Sequence, residues 1–414
     1  MNACLSKRFV FGCLCILYLP GSALASSSES SSIRWFENQI QQHPEVVAAR
    51  EHKNAALSTA DAYGKPLYNP EFETELEREG EANNYLIGIS QTIDWRDKRD
   101  TKRQLASADR TIAEQTYESV VQQKSAEALQ ALIQWKAASQ LAELAVNQER
   151  QLGRLLDLVK QRQQAGDVSQ LDAEMTILGL SQTFSSTAQA LSQLKKEEAH
   201  LRELLPEWSP EAALVPEIAK FVDTTISNNP EKIGQWLNAH PLVMVSRAEW
   251  DASKQSALLA NKAAKADPTV GINAGQSDNE NVIALTFSIP LNVRNDFSAE
   301  AKAASQEVLA AEAQYYATHR KQRFAIQAAY DVLQQYQKHS DRWQRLMQGR
   351  GKRSENLLKK KWVSGDLSTT EYLLALQQLT EGLAAGIELQ TQFQLARIEW
   401  LLQAGQINTA LESK

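Results

Sequence analysis

Five glutamates at alternate positions, Glu71, Glu73, Glu75, Glu77 and Glu79, form the densest charged pattern in the chain. Period-two spacing puts them on one face of a strand, with Phe72, Thr74 and Leu76 on the other. Such a row is either a solvated strand face or an acidic wall along a conduit, where it raises the local cation concentration. It is not a chelating site, because consecutive carboxylates on one strand do not surround an ion at about 2.4 Å. The six histidines (His43, His52, His200, His240, His319, His339) contain no i,i+3 or i,i+4 pair, so no metal-ligand spacing is present. Four methionines are too few for a thioether relay. No nucleophile elbow, P-loop or dinucleotide fingerprint occurs. No catalytic residue, cofactor or resident metal is expected.

Two turns share the pattern Gly-Asp-x-Ser: Gly166-Asp167-Val168-Ser169 and Gly365-Asp366-Leu367-Ser368. Glycine suits the left-handed position that closes a helix. Asp167 and Ser169, like Asp366 and Ser368, suit the capping of the helix that follows.

The elements that must position these residues are read from composition and punctuation. The chain has 414 residues, 43% of them hydrophobic and 23% charged, with a mean hydropathy of −0.42. A polytopic helical membrane protein, with several apolar runs of about 20 residues, is excluded, and so is a disordered chain. A net charge of −6 argues against a nucleic-acid partner. Residues 1–25 read as a secretory signal: Lys7 and Arg8, an apolar run from Phe9 to Leu19, then the small-residue cleavage site Ala23-Leu24-Ala25. All three cysteines (Cys4, Cys13, Cys15) lie inside it, which removes a disulfide framework, and Ser26 stands where a lipoprotein would need cysteine.

Prolines are absent from 71–205 and from 291–414, and both stretches are rich in strong helix formers. Leu141, Leu144, Leu152, Leu155 and Val159, and then Leu376, Leu379, Leu383 and Ile387, follow a 3/4 spacing. From about Arg96 to Ala165 only Gly153 interrupts the pattern, which predicts a rod of about 100 Å. The chain also repeats itself at an offset of about 198 residues. His43-Pro44 recurs as His240-Pro241, each opening a helix that Asn69-Pro70 or Asp267-Pro268 is expected to end. A period-two hairpin follows each time, at about 71–95 and 269–291. In it Tyr85, Ile87 and Ile89 map onto Ile283, Leu285 and Phe287. Strands of about ten residues suit a tilted membrane crossing, although soluble hairpins alternate in the same way. The predicted divisions are a signal at 1–25, a first repeat at 26–205, an irregular connector at 206–238 and a second repeat at 239–414.

This ordered, duplicated set resembles the TolC-like outer-membrane efflux proteins over essentially the whole mature chain. The residues carrying it are the paired His-Pro helix starts, the start Asn69-Pro70-Glu71 of an acidic strand and the two Gly-Asp-x-Ser turns. Ser90-Gln91 leading to Lys98-Arg99, and Ile289-Pro290-Leu291 leading to Arg294-Asn295, carry it too. Asn-Pro-Glu and the modest length look most like the heavy-metal, CzcC-like branch, although Trp95-Arg96-Asp97 stands where that branch often has a Gly-rich step.

The resemblance implies a mainly α fold with a small β part, duplicated helical hairpins plus two β-hairpins per protomer. Three protomers would form a 12-stranded barrel continued by a periplasmic helical tunnel. Four strands alone cannot close a barrel, and open edges cannot sit in lipid. The glutamate row would then face the lumen, while Tyr85, Ile87, Ile89, Ile283, Leu285 and Phe287 would face lipid. The tips, Gly166 to Ser169 and Gly365 to Ser368, would meet a periplasmic adaptor (a membrane fusion protein), and Asp172 and Glu371 would ring the closed end. Leu374 and Leu367 depart from the polar residues of the family's usual latch. The implied role is a passive homotrimeric exit duct in the Gram-negative outer membrane. Its partner would be an inner-membrane pump of the resistance-nodulation-division type, with heavy-metal cations as cargo. Drugs or other small organic molecules are the alternative cargo. A soluble periplasmic coiled-coil adaptor is a more distant reading.

Overall fold

The computed structural model describes residues 25–79, 82–210, 232–278 and 280–412. The predicted secretory signal up to Leu24, with its cysteines, and most of the connector lie outside the described residues. The chain runs α1 (Ala25–Gln42), α2 (Pro44–Tyr63), β1 (Glu71–Glu79), β2 (Ala82–Thr92), α3 (Lys98–Gln164) and α4 (Gln170–Leu204). After the connector come α5 (Ile233–Ala239), α6 (Pro241–Ala263), β3 (Thr269–Ser277), β4 (Glu280–Ser288) and α7 (Ser298–Met347). Then follow α8 (Arg350–Val363), α9 (Thr369–Gln403) and α10 (Ile407–Glu412). Among the described residues no helix is long and apolar enough to cross a membrane.

The His-Pro pairs start helices by a shared mechanism. Proline takes the first turn, where its missing N–H costs nothing, and the imidazole before it caps that turn. His43 Nδ1 accepts from the Glu45 amide at 3.3 Å, and His240 Nδ1 from the Leu242 amide at 3.2 Å. His240 is buried, which pulls its pKa down and keeps the accepting nitrogen unprotonated. The two helices end earlier than the prolines imply, at Tyr63 and Ala263 rather than at Pro70 and Pro268. The intervening residues carry the chain across to the sheet and hold a buried knot described below.

A 67-residue helix, α3, runs unbroken through Gly153. Its start is capped from three residues outside: Asp94 accepts from the Lys98 amide at 2.9 Å and the Arg99 amide at 2.8 Å. Those bonds hold the Asp94 carboxyl below its usual range against the opposing effect of its burial. Between them Asp97 is forced left-handed (φ 53) and makes no side-chain cap bond. Asp97→Gly is therefore expected to raise stability by about 1 kcal/mol, read as a higher thermal midpoint of the purified protein. An unchanged or lowered midpoint would mean the left-handed turn carries no strain.

The second proline-free stretch is not one rod. Helix α7 stops at Met347, Gly349 turns left-handed (φ 66), and α8 restarts at Arg350. The closely spaced glycines 349 and 351 weaken that helix, whereas Gly153 stands alone in α3. The connector is not irregular throughout either, since its end folds into α5, whose Leu237 is buried beside Ile326.

The main core sits midway along α3. Val121, Leu129, Leu132 and Ile133 pack with Phe36 and Ile40 of α1, Leu201 and Leu205 at the end of α4, and Ile407 of α10. Trp135 meets Trp208 edge-on at 4.8 Å. This core clamps both ends of the described chain around one point of the rod. A second apolar cluster lies at the far end of α3, around the turns.

Candidate functional site

The four strands form one antiparallel sheet in the order β1-β2-β3-β4, so the two hairpins are joined through β2 and β3. Register places Glu71, Glu73, Glu75 and Glu77 opposite Ser90, Gly88, Leu86 and Asn84. The same face continues through Gly271, Asn273 and Gly275 to Thr286, Ala284 and Val282. Glu79 pairs with Ala82 at the end of β1. The opposite face carries Phe72 and Leu76, then Tyr85, Ile87 and Ile89, then Val270 and Ile272, then Ile283, Leu285 and Phe287. All six residues predicted to meet lipid thus share one face.

That face is inverted relative to a water-soluble sheet. Leu76 is 83% exposed, Ile283 77% and Leu285 83%, while Ser90 on the polar face is 2% exposed. Curvature explains the sheltering. A side chain added at Gly275 would begin 1.9 Å from the Tyr85 carbonyl oxygen, and one at Gly88 would begin 1.7 Å from Asn273 Oδ1. Cβ positions that close to a neighbouring strand require a sheet curled toward this face, and small residues let it curl. Ser90 Oγ donates to Glu73 and ties one carboxylate into the concave side. Each edge strand pairs with a single neighbour among the described residues.

At the foot of the sheet, Asp267 Oδ2 accepts from Lys98 Nζ at 3.0 Å and from the Tyr68 hydroxyl at 2.7 Å. The ion pair is almost wholly buried. Burial first, then the bond to Asp267, pushes the Tyr68 pKa up to about 12, so the phenol stays protonated and donating. Lys98 also donates to the Lys265 carbonyl at 2.9 Å, pinning the start of α3 to the second repeat. Spacing alone gave no sign of this knot. Its one trace is that Asp267 replaces Asn69 between the repeats.

The far ends of the rods carry the two turns. Gly166 (φ 83) and Gly365 (φ 82) are both left-handed. Each turn is closed by paired backbone bonds, Asp167 N to Arg162 O at 2.9 Å and Gly166 N to Gln163 O at 3.0 Å. The second turn repeats them, with Asp366 N to Lys361 O at 2.9 Å and Gly365 N to Trp362 O at 3.2 Å. This is the Schellman arrangement. The serines are the caps: Ser169 Oγ accepts from the Asp172 amide at 3.1 Å and Ser368 Oγ from the Glu371 amide at 3.2 Å. Asp366 does not cap the next helix. Its carboxylate accepts from Lys361 Nζ at 2.8 Å and Ser364 Oγ at 3.1 Å, because the left-handed turn points it back at the helix it follows.

Asp172 and Glu371 hold matching positions three residues after each cap. Glu371 accepts from the Ser368 amide and hydroxyl, both at 2.9 Å. Asp172 accepts from Ser169 Oγ at 2.8 Å and from Thr370 Oγ1 of the other turn at 3.0 Å, which links the two tips. Bonds from Ser368 depress the Glu371 carboxyl, and the Lys361 ammonium depresses that of Asp366. Stabilisation from a depressed carboxylate is complete above its unfolded pKa and fades as pH falls through the lower folded value.

Behind the turns Trp362 stacks on Tyr372 at 5.2 Å, and Arg162 lies over the indole at 4.8 Å. Val168 and Leu367 pack against the same cluster, so Leu367 serves the tip's core. The aromatic pair occurs in the second repeat alone, since Gln163 stands at the place of Trp362. Sequence reasoning overlooked it, although two aromatics flanking a turn were a visible signal.

Residues 35–206 match the family model described as outer membrane efflux protein. The sequence finds no match among curated proteins. The fold matches solved structures at low identity. CusC is 14% identical, with 90% of this chain and 92% of that chain covered and a TM-score of 0.71. VceC of Vibrio cholerae is 13% identical, with 91% and 96% covered at 0.71. CmeC of Campylobacter jejuni, an outer membrane channel, is 12% identical, with 98% and 94% covered at 0.72. The chain therefore has the TolC-like fold, long helices joined to a small antiparallel sheet. These likenesses do not single out the CzcC-like branch.

Proposed function

We propose that the chain is the outer-membrane exit duct of a tripartite efflux system, a homotrimer that pools twelve strands into one barrel. The carrying observation is the inverted sheet, with an exposed apolar face, a polar face that is sheltered at Gly88 and Ser90 and carries the exposed glutamates on β1, and edge strands that each pair with a single neighbour among the described residues. Lipid stabilises such an apolar band, and closure with two copies removes edges that hydrocarbon does not tolerate. Tyr85, Ile87, Ile89, Ile283, Leu285 and Phe287 form the lipid band, and the glutamates line the lumen. The family match over the first repeat and the fold likeness support the same reading.

The duct has no energy source of its own. An inner-membrane pump of the resistance-nodulation-division type drives cargo, and a periplasmic adaptor meets the tips at 166–169 and 365–368. Asp172 and Glu371 surround the closed end. Heavy-metal cations are the favoured cargo, because four exposed carboxylates on one strand face place twelve negative charges per trimer along the path.

The test is assembly. Mass measurement of the purified chain in mild detergent is expected to give a trimer, and the same preparation should conduct in planar bilayers. A stable, folded monomer would overturn the barrel reading, since one protomer leaves both edges of its sheet open.

A further inference from the structure

Between the foot of the sheet and the main core, a cleft of about 390 Å³ opens between α3 and α6. That volume falls within the range of small-molecule sites, about 300–1,000 Å³. Its α3 wall, from Gln104 to Thr111, lies about 9–20 Å along the helix from Lys98. The same face of α3 runs on to Glu118 and Gln122. Glu118 accepts from Asn408 Nδ2 at 2.7 Å, and Gln122 donates to the Gly405 carbonyl at 3.4 Å. The cleft therefore faces the side of the helical wall that carries α10, and Asn238 of α5 also lines it. Three copies of that added layer would fill the bore of a duct if they lay inside it. In the duct reading the cleft accordingly faces outward, into the periplasm.

The lining is polar, and two of its groups lack partners. Gln255 Oε1 is buried and accepts no hydrogen bond among the described residues. Arg247 is exposed at the cleft, and its side chain makes no ion pair or hydrogen bond among the described residues. Asp251 differs, since its Oδ1 accepts from Lys254 Nζ at 2.9 Å, which offsets its charge and leaves Oδ2 as an acceptor. Tyr315 is held in place by stacking on Trp250 at 5.6 Å, and Lys254 Nζ lies 3.5 Å from the centre of the same indole. These walls are fixed by contacts within the chain, which lowers the cost of ordering them around a ligand. The first repeat does not reproduce the set. Counted from the shared His-Pro, Arg50 stands at the place of Arg247, and it donates to the Gln41 carbonyl at 3.5 Å and pairs with Glu51 at 4.0 Å. Asn54 and Ser58 stand at the places of Asp251 and Gln255.

We propose that this cleft binds a carboxylate-bearing sugar. Each part of such a ligand then finds a partner. Arg247 meets the carboxylate with paired N–H groups. Ring hydroxyls donate to Gln255 Oε1 and to Asp251, and the C–H face of the ring rests on Tyr315 and Met244. An apolar molecule would leave both Gln255 and Arg247 unpaired, and a neutral sugar would leave Arg247 so. Arg247 and Lys254 outnumber Asp251, which makes the site positive and disfavours a metal cation. Free sugar acids share this chemistry with cell-wall glycan whose stem peptides have been removed. The side from which the ligand arrives rests on the duct reading, whereas the chemistry of the cleft does not.

The test is calorimetric titration of the purified full chain in mild detergent with two probes. N-acetylmuramic acid carries a carboxylate, and N-acetylglucosamine has the same ring without it. The acid is expected to bind at least about tenfold more tightly, the difference a charge-assisted pair makes. Arg247→Gln should erase that difference, Gln255→Leu should weaken both sugars, and Arg50→Gln should change neither. Failure of both sugars to bind overturns the proposal, as does an equal affinity that Arg247→Gln leaves unchanged. Sedimentation with cell-wall sacculi stripped of stem peptides separates the two sources. Retention that is lost in Arg247→Gln assigns the ligand to the cell wall, and binding of the free acid without such retention assigns it to a soluble sugar acid. None of these measurements needs a trimer or conduction. A chain that binds the acid but forms no channel keeps the site and loses the duct reading.

Discussion

Gly365→Val is expected to abolish efflux while leaving expression, membrane insertion and trimerisation nearly unchanged. Gly365 sits at φ 82, where a side chain costs about 1–2 kcal/mol, and a β-branched one is least tolerant. No neighbouring atom lies within 4 Å of the added Cβ, so the whole cost falls on the backbone of the turn. That is small beside the stability of two apolar clusters but large for a surface proposed to fit a partner. The turn can relieve the strain by giving up the paired bonds from Gly365 and Asp366 to the helix end. Ser368→Ala removes a cap worth about 1 kcal/mol and should act in the same direction more weakly. Asp366→Ala, which removes an exposed contact with Lys361, should be mild. The measurements are resistance in cells, trimer yield in the outer-membrane fraction, and a selection for adaptor changes that restore the valine variant. Normal export by Gly365→Val would reduce the glycine to a helix terminator. Failure only through lost insertion would remove the docking role as well.

Replacing Glu71, Glu73, Glu75 and Glu77 together with glutamine should sharply lower cation conductance and selectivity in planar bilayers. The change keeps size and strand pairing while removing four charges per protomer, all on the concave face. Trimer assembly should persist, because these side chains are exposed and only Glu73 is tied to a neighbour, Ser90. The effect should be largest at low ionic strength, where screening over about 10 Å no longer hides the row. Unchanged cation selectivity would place the row outside the conducting path.

Much of the local structure is legible in residue spacing because the forces behind it are short-ranged. The proline of each His-Pro pair fixes one backbone angle and the imidazole reaches its own helix. The Gly-Asp-x-Ser turns close through bonds spanning three to five residues, so their left-handed glycines follow from sequence. Period-two alternation shows which residues share a face, and register across the sheet keeps that parity from strand to strand. The length of α3 follows from the absence of proline and the abundance of helix formers over 67 residues.

Spacing alone determined two hairpins, long helices, their starts and the turns between them. Tertiary structure decided what those pieces meet. Thr92 bonds Thr269 across 177 residues, and Lys98 reaches Asp267 across 169, and neither partnership leaves a periodic trace. Asp366 could cap forward or bond backward, and the direction of the left-handed turn sends it to Lys361. The curl of the sheet depended on Gly88 and Gly275 facing neighbouring strands. A helix or turn is stabilised by groups within one or two turns of each other, so sequence order specifies it. A cross-repeat contact must offset the entropy of closing a long loop with burial that many residues share, and that balance is struck only in the folded chain.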